Sequence, residues 1–166
     1  MNHLNSEEGL RVMGFEGFVS VMSLIDSNCI NIPKCKGVYL VLFENGPPRF
    51  NNTSVCGHFK GRNPLVSLDK LISKWVDSAL IINIGKAGGS GSGVTLHSRL
   101  KQYMRFGEGK PVGHWGGRYI WQIENWTELI LCWKQLPLDE PRKVEKELIN
   151  EFVAQYGKLP FANRTR

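Results

Sequence analysis

The chain contains no apolar run that approaches the roughly 18 residues of a membrane-spanning helix. Its opening residues, MNHLNSEEGL, also lack the basic and then apolar order of a secretory signal peptide. We therefore expect a cytoplasmic protein with no membrane partner. The length of 166 residues suits one domain spanning 1–166, because a chain of this size buries a core without disulfide bonds.

Cysteine is sparse and irregularly spaced. Cys29, Cys35 and Cys56, together with His58, offer donors for a zinc ion, and Cys132 stands apart. No pair has the spacing of about two to four residues that is typical of a zinc ribbon or knuckle. Buried or half-exposed thiols, kept reduced in the cytosol, are therefore the preferred interpretation, and a zinc site is the alternative.

The chain also lacks the phosphate-binding motifs of nucleotide-binding proteins. A P-loop places its glycines before Gly-Lys-Ser/Thr, whereas here Gly85-Lys86 comes first and the loop AGGSGSG follows. That order favours a flexible connection between a strand and a helix, close to a phosphate. Nucleotide binding by residues 85–95 is the alternative, which measurable affinity for ATP or GTP would support.

Positive charge is concentrated in the middle of the chain. The net charge is +6 and the isoelectric point about 9.3. Residues 86–118 contain six Lys or Arg side chains and one acid, a net charge of +5. Such a stretch favours a polyanionic partner such as DNA, although a solvated basic face gives the same pattern.

Apolar patterns predict alternating strands and helices. The predicted strands are 38–43, 80–84, 119–123 and 129–133, the last two forming a hairpin around 124–128. The predicted helices are 15–25, 66–76, 96–106 and 142–156. Thr95 is expected to cap the third helix and Gly157 to end the fourth. Residues 1–14 are expected to form a loosely held polar leader.

Two charged residues fall on the apolar faces of predicted helices. Arg99 can clamp a phosphate oxygen with its guanidinium group, or it can pack its stem on Tyr103 and place its head in water. Glu145 shares its face with apolar residues three, four and seven positions further on. It therefore needs a metal ion or a cation, unless it lies at the edge of the stripe and pairs with a lysine.

The sequence GHWGGR, which ends at Arg118, is an unusual polar turn. Its His114 and Arg118 can approach a nucleic-acid backbone, and Trp115 can stack on a base. The alternative is a tight turn before a strand, with Trp115 covering the core. With the basic residues Lys101 and Arg105, these three form the predicted nucleic-acid-binding set.

Five short pieces of the chain follow one another in an order that one nuclease family shares. They are Gly37-Val38-Tyr39, Asn83-Ile84-Gly85, Arg99 in LHSRLKQY, Glu145 in VEKELI, and Asn163 after Pro160-Phe161-Ala162. In this order, with Val38 in place of isoleucine, the chain resembles the GIY-YIG nucleases. The resemblance implies an α/β (α+β) fold in which a small, mostly antiparallel sheet is flanked by helices.

The resemblance also implies a set of catalytic residues for hydrolysis of a DNA phosphodiester with one divalent cation, Mg²⁺ or Mn²⁺. Glu145 would hold the metal, and Arg99 would bind a phosphate oxygen and stabilise the transition state. Tyr39, made more acidic by nearby cations, would take the proton of the attacking water. Lys86 would assist the base or the phosphate, and Asn163 would orient Glu145 or the backbone.

The chain departs from the family pattern at three places. Asn83 stands where the family usually has tyrosine, so that role is unfilled or passes to Lys86 or another tyrosine. Tyr103 falls where some members carry histidine, which makes it a further candidate catalytic residue. Residues 44–79 are inserted between the two signature strands, and they and the turn from His114 to Arg118 are candidates for substrate choice.

The function expected from these observations is a DNA endonuclease of the restriction or repair type. The alternative is a non-catalytic DNA-binding module on the same scaffold, since Asn83 replaces a signature tyrosine. A monomer with one site would nick one strand, whereas a symmetric homodimer would cut both.

Overall fold

Four strands form a single sheet within residues 2–164, the part of the chain that this computed structural model describes. Residues 1, 165 and 166 of the predicted domain lie outside the described residues. The strands, in the order β1-β4-β2-β3 with every neighbour antiparallel, are β1 Glu16–Ser20, β2 Gly37–Leu42, β3 Ile81–Ala87 and β4 Ile130–Gln135. The predicted α+β fold with a small antiparallel sheet is thereby confirmed.

Helices cover both faces of this sheet. The α-helices are α1 Glu7–Val12, α2 Val21–Asp26, α3 Leu68–Lys74, α4 Leu96–Gly107 and α5 Pro141–Tyr156. Short 3-10 helices lie at His3–Asn5, Phe59–Gly61, Trp115–Gln122 and Trp126–Glu128. Within residues 2–164, no helix has the length and apolar character needed to span a bilayer.

The two helices that the site uses begin and end where the sequence predicts. The Thr95 hydroxyl accepts a hydrogen bond from the Ser98 amide, and the Ser98 hydroxyl accepts one from the Thr95 amide, which makes a reciprocal cap for α4. Pro141 occupies the first turn of α5, where its missing N–H costs nothing. Gly157 ends α5 with a φ of 74°, a conformation that glycine adopts without strain.

The central strand β2 is buried on both faces, which explains its continuous apolar sequence. Successive side chains point to opposite sides of the sheet. Tyr39 and Val41 contact the core under α4, and Val38 and Leu40 contact the core under α5. Tyr39 therefore lies within a packed layer, with its hydroxyl at the edge of that layer.

Three sequence predictions for local structure are wrong, two in the first 25 residues and one at residues 119–123. Residues 16–20 form β1 rather than helix, with a bulge between Gly17 and Val19 that apolar content alone does not reveal. The predicted polar leader contains α1, because Leu4 and Leu10 are buried against the core under α5.

Residues 119–123 do not form a strand, and no hairpin joins them to β4. The stretch Trp115–Gln122 is 3-10 helical, although Tyr119, Ile120 and Trp121 are residue types that favour strands. All three side chains are buried in the core under α4, so tertiary packing outweighs the local preference.

The inserted segment 44–79 is fixed to the rest of the domain by a buried side chain. The Gln122 Oε1 atom accepts a hydrogen bond of 2.7 Å from the Val66 amide. Its Nε2 atom donates to the carbonyls of Val66 and Asn51 at 2.9 and 3.2 Å. Residues 44–79 therefore have a defined position, with the end of α3 hydrogen-bonded to Lys158 and to the Asn163 carbonyl.

Candidate active site

Two adjoining clefts collect most of the predicted catalytic residues. One cleft, of about 570 Å³, is lined by Tyr39 and Asn163. The other, of about 580 Å³, is lined by Lys86. Arg99 and Glu145 line both clefts, so the two are parts of one site. We call the pair the cleft.

The glycines of the two short motifs, Gly37 and Gly85, are required for steric reasons. Tyr39 on β2 lies directly opposite Gly85 on β3, and a Cβ at Gly85 would overlap the Tyr39 ring. A Cβ at Gly37 would overlap the Lys134 carbonyl and meet the Leu96 side chain. The signature glycines thus let the Tyr39 ring cross β3 towards the cleft and let α4 lie close to β2.

Tyr39 is less acidic in the free protein than the sequence prediction assumed. It is only 3% exposed. Burial raises the pKa of its hydroxyl to about 12, and the neighbouring positive charge of Arg99 offsets only part of that effect. The expected acidification by cations is therefore outweighed by desolvation.

His114 lies inside the site, in contact with Tyr39, and it is not part of an open nucleic-acid surface. It is 3% exposed, and its Nε2 atom is 3.3 Å from the Tyr39 hydroxyl. Its ring stacks on Tyr103 with centroids 3.8 Å apart. Burial and the charge of Arg99 hold the pKa of His114 well below its usual range, so the imidazole is neutral.

The surroundings of the imidazole select one of its two neutral tautomers. The Nδ1 atom of His114 is buried and has no hydrogen-bond partner among residues 2–164. A buried N–H group without an acceptor costs about 1–3 kcal/mol. This cost at Nδ1 favours the tautomer with the proton on Nε2, from which it can be donated to the Tyr39 oxygen.

Asn83 supports Tyr103. Its Nδ2 atom donates a hydrogen bond of 2.9 Å to the Tyr103 hydroxyl, which itself donates to the Gly117 carbonyl at 3.3 Å. Tyr103 is fully buried, and this burial raises its pKa well above the ordinary value. Tyr103 therefore does not line the cleft. It packs beneath His114 and Tyr39, and the hydrogen bond from Asn83 fixes its position.

Arg99 is half-buried and fixed at one end of its guanidinium group. Its Nη1 atom donates to the Gln102 side chain at 3.0 Å and to the Gly113 carbonyl at 3.3 Å. A guanidinium carries five N–H donors, so donors remain for a ligand in the cleft. Arg99 lowers the pKa of both Tyr39 and Glu145, so its charge lies close to both groups.

Glu145 is a half-buried carboxylate among three cations. Burial raises its pKa, and the charges of Lys86, Arg142 and Arg99 offset part of that rise. The one salt bridge among residues 2–164 joins Arg11 and Glu7, far from this site in sequence. Glu145 is therefore not paired with a lysine, as the alternative interpretation of the sequence required.

The donors at Glu145 fit Mg²⁺ or Mn²⁺ better than zinc. No group of three His, Cys, Asp or Glu side chains comes together within the described residues, so Cys29, Cys35 and Cys56 do not assemble a zinc site. Mg²⁺ keeps several waters and binds through one or two carboxylates plus substrate phosphates. Glu145, with Glu140 lining the same cleft, meets that requirement.

Asn163 binds the backbone of β3. Its side chain accepts a hydrogen bond from the Ile84 amide and donates one to the Ile84 carbonyl, both at 2.9 Å. The Ala162 amide donates to the Ile82 carbonyl at 2.8 Å. Of the two predicted roles, orientation of the backbone is the one these contacts support. The pairing also covers an otherwise open strand edge.

The remaining predicted nucleic-acid contacts lie outside the cleft. Lys101 and Arg105 line a neighbouring groove on α4 that shares Val94 and Arg99 with the cleft. Trp115 is half-buried, and guanidinium carbons of Arg62 and Arg118 lie 4.4 and 4.7 Å from its ring centroid. Those contacts are cation–π interactions, so guanidinium groups already cover part of the ring that was expected to stack on a base.

Sequence reasoning missed three residues of the cleft. Arg142 and Glu140 line it from the start of α5, and Arg164 lines it from the end of the described chain. Arg142 carried a usable signal, since it stands three residues before Glu145 and so shares its helix face. Glu140 and Arg164 carried none beyond their closeness in sequence to Pro141 and Asn163.

No protein-family model, curated protein or solved structure matches this chain. The functional assignment therefore depends on the residues of the cleft and their geometry.

Proposed function

We propose that this protein is a metal-dependent DNA endonuclease that hydrolyses phosphodiester bonds. The observation that carries the proposal is the convergence of Tyr39, Arg99 and Glu145 from β2, α4 and α5 into one cleft. These three elements are distant in sequence, and a candidate base, a phosphate ligand and a carboxylate are the groups that phosphodiester hydrolysis needs. A cytoplasmic location is proposed with it, in keeping with four cysteines that are all free.

Arg99 and Lys86 supply the positive charge for the phosphate. Arg99 is held by Gln102 and Gly113, so its free donors are directed before the substrate arrives. Preorganised donors of this kind stabilise charge that develops in the transition state. Lys86 lines the same cleft beside Glu145 and adds a second positive charge.

Tyr39 is proposed to accept the proton of the attacking water, once its own proton has left for solvent. Burial and the charge of Glu145 disfavour the phenolate in the free protein, whereas Arg99 favours it, as would an N–H group on Nε2 of His114. The hydroxide then attacks phosphorus, and the bond to the leaving oxygen breaks. Because the hydroxyl pKa is about 12, cleavage is expected to accelerate as pH rises above neutrality.

Glu145 is the residue that would hold the divalent cation. The chemistry such an ion supplies is neutralisation of charge on the scissile phosphate and on the leaving oxygen. The carboxylate forms no salt bridge within residues 2–164, so it is available to a metal ion. It also lies in the same cleft as Arg99, so a metal ion held there would be close to the bound phosphate.

The alternative function is a non-catalytic DNA-binding module on the same scaffold. The observation that favours it is the raised pKa of Tyr39, since a neutral hydroxyl does not accept a proton from water. Cleavage that depends on a metal separates the two functions.

The deciding experiment is incubation of supercoiled plasmid with the protein, with Mg²⁺ or with EDTA. We expect relaxed or linear DNA only with Mg²⁺. Replacing the carboxylate in Glu145→Gln is expected to lower the cleavage rate by about 10³-fold or more, since metal stabilisation is worth several kcal/mol. Glu147→Gln, an exposed position on the same helix, is the matched control and is expected to cleave like wild type.

Binding of a DNA duplex, measured by fluorescence anisotropy, completes the test. Retained binding by Glu145→Gln shows that the loss lies in chemistry. Full cleavage by Glu145→Gln would remove the metal assignment. Binding without cleavage by wild type, with either Mg²⁺ or Mn²⁺, would establish the non-catalytic module instead.

A further inference from the structure

Four cations beside the cleft have no role in the chemistry proposed above. They are Arg62, Lys74, Arg118 and Arg164, and we call them the basic track. We propose that the basic track binds the phosphate backbone of duplex DNA next to the scissile phosphate. This inference rests on the proposed function, because it assumes that DNA enters the cleft.

The basic track begins at the wall of the cleft. Arg164 lines the cleft directly after Asn163, and Gly117, which also lines it, is followed by Arg118. Arg62 and Arg118 both contact the ring of Trp115. A backbone that leaves the cleft therefore meets Arg164 at its wall and can reach Arg118 and Arg62 around Trp115.

The members of the basic track lie close enough to repel one another. Burial lowers the pKa of Arg118, and the charges of Arg164 and Arg62 lower it further. Burial likewise lowers the pKa of Lys74, with added repulsion from Lys70, Arg164 and Lys158. Arg164 thus faces both Arg118 and Lys74, which makes the four cations one cluster.

Within residues 2–164, no Asp or Glu side chain forms an ion pair with these cations. None of the charged groups that shift Arg118 or Lys74 is an Asp or Glu, and no member of the track forms a salt bridge within residues 2–164. Clustered like charges disfavour the folded state, and an anion bound between them removes that cost. The cleft differs, because Glu145 stands among its cations.

Hydrogen bonds hold two members of the basic track in place and leave other donors free to bind a ligand. The Arg118 Nη1 atom donates to the Trp115 carbonyl at 3.1 Å, and the Lys74 Nζ atom donates to the Asn163 carbonyl at 2.9 Å. Arg62 and Arg164 are exposed. Guanidinium groups fixed by one bond and by aromatic contact lose little freedom when they bind phosphate.

The inserted segment supplies half of the track. Arg62 and Lys74 belong to residues 44–79, and Gln122 fixes this segment through Val66 and Asn51. Arg118 and Arg164 come from the 3-10 helix and the end of the described chain. The insertion thus extends the cleft with a surface for the DNA backbone.

The test measures the affinity for a fluorescein-labelled DNA duplex in EDTA at several salt concentrations. The double variant Arg62→Gln/Arg164→Gln removes two exposed charges from the track. Each lost phosphate contact is expected to reduce the slope of log K against log salt by about 0.9, so the slope becomes shallower by about 1.8. The matched control Lys143→Gln/Lys146→Gln removes two exposed charges from α5 and is expected to leave the slope unchanged.

A third variant, Arg62→Lys/Arg164→Lys, retains the charge and is expected to recover most of the slope. An unchanged slope in the Gln pair, or an equal loss in the control pair, overturns the inference. If wild type cleaves plasmid and the Gln pair keeps its slope, only the track is wrong. If the slope falls as expected but wild type never cleaves, the track stands and the nuclease function fails. Absence of duplex binding by wild type overturns the track.

Discussion

The cleft and the basic track both gather cations, but only the cleft places a carboxylate among them. Lys86, Arg99 and Arg142 surround Glu145, whose raised pKa they partly offset. Arg118 faces the cations Arg164 and Arg62, and no member of the track forms a salt bridge with a carboxylate within residues 2–164. The cleft combines opposite charges, as a reaction centre requires, whereas the track has one sign, as a surface for a polyanion requires.

The two regions also differ in how the chain builds them. The cleft takes Tyr39, Arg99 and Glu145 from the interiors of β2, α4 and α5, which hold side chains precisely enough for chemistry. The track takes Arg62 and Arg164 from irregular segments, where positions tolerate adjustment to a ligand, Lys74 from the last residue of α3, and Arg118 from a 3-10 helix. Variants in the cleft should therefore change cleavage with little effect on binding, and variants in the track should do the reverse.

Among the variants that test this contrast between the cleft and the basic track, Tyr39→Phe is expected to have the largest effect. Loss of a general base lowers the cleavage rate by about 10²- to 10⁴-fold, while the affinity for duplex DNA stays close to that of wild type. Because burial raises the pKa of Tyr39 to about 12, the phenolate fraction of wild type grows about tenfold per pH unit around neutrality. The rate of wild type should rise accordingly between about pH 7 and 9, and the Phe variant should lose that dependence.

Tyr156→Phe is the matched control for the loss of a hydroxyl. Its hydroxyl donates to Asn5 at 3.0 Å, remote from the cleft, so cleavage and its pH dependence should not change. A Tyr39→Phe variant that keeps the rate and the pH slope of wild type would contradict the assignment of the base.

A smaller effect is expected from Gly85→Ala, which should disturb the cleft and leave the basic track unchanged. The new Cβ would overlap the Tyr39 ring, which has to move within a packed core. Overpacking of this kind costs about 1–3 kcal/mol of stability, and displacement of Tyr39 lowers cleavage as well. Chemical denaturation and the plasmid assay measure the two losses, and the salt dependence of DNA binding should not change.

Gly93→Ala is the control for this glycine. A Cβ at Gly93 meets nothing within 4 Å, so stability and cleavage should match wild type. Equal stability of Gly85→Ala and Gly93→Ala would mean that the steric reason given for Gly85 is wrong.

The sequence predicted the elements that carry the cleft better than those that carry the track. Strands β2 and β3 and helices α4 and α5 follow from long apolar patterns and from caps such as Thr95 and Gly157. The helical form of Trp115–Gln122 does not, because burial of its aromatic residues outweighs their preference for strands.

The contacts between side chains were harder to predict than the elements. The sequence placed Tyr39, Arg99 and Glu145 on separate elements, and only the resemblance gave a reason to bring them together. The pairing of His114 with Tyr39 depends on a stacking contact with Tyr103, and no local pattern encodes such a contact. Arg164 joins the site because Asn163 binds the edge of β3, a long-range hydrogen bond that spacing does not reveal.

The smallest expected effect concerns the hydrogen bond between Asn83 and Tyr103 in the layer beneath the cleft. Asn83→Leu and Tyr103→Phe each remove one side of a buried hydrogen bond of 2.9 Å. A double-mutant cycle in the free energy of unfolding should give a coupling of about 0.5–1.5 kcal/mol, the net value of one such bond. Urea denaturation measures it, and the slope of DNA binding against salt should not change.

The control cycle pairs Asn83→Leu with Tyr156→Phe, whose hydrogen bond to Asn5 is separate, so the two losses should add. Additivity between Asn83→Leu and Tyr103→Phe would mean that Asn83 only fills space beside Tyr103. A measured coupling, together with slower cleavage in both single variants, would mean that Asn83 stabilises Tyr103, on which His114 stacks. His114 in turn contacts the Tyr39 hydroxyl. In that case Asn83 keeps the cleft ordered through Tyr103, and its presence is compatible with the proposed nuclease activity.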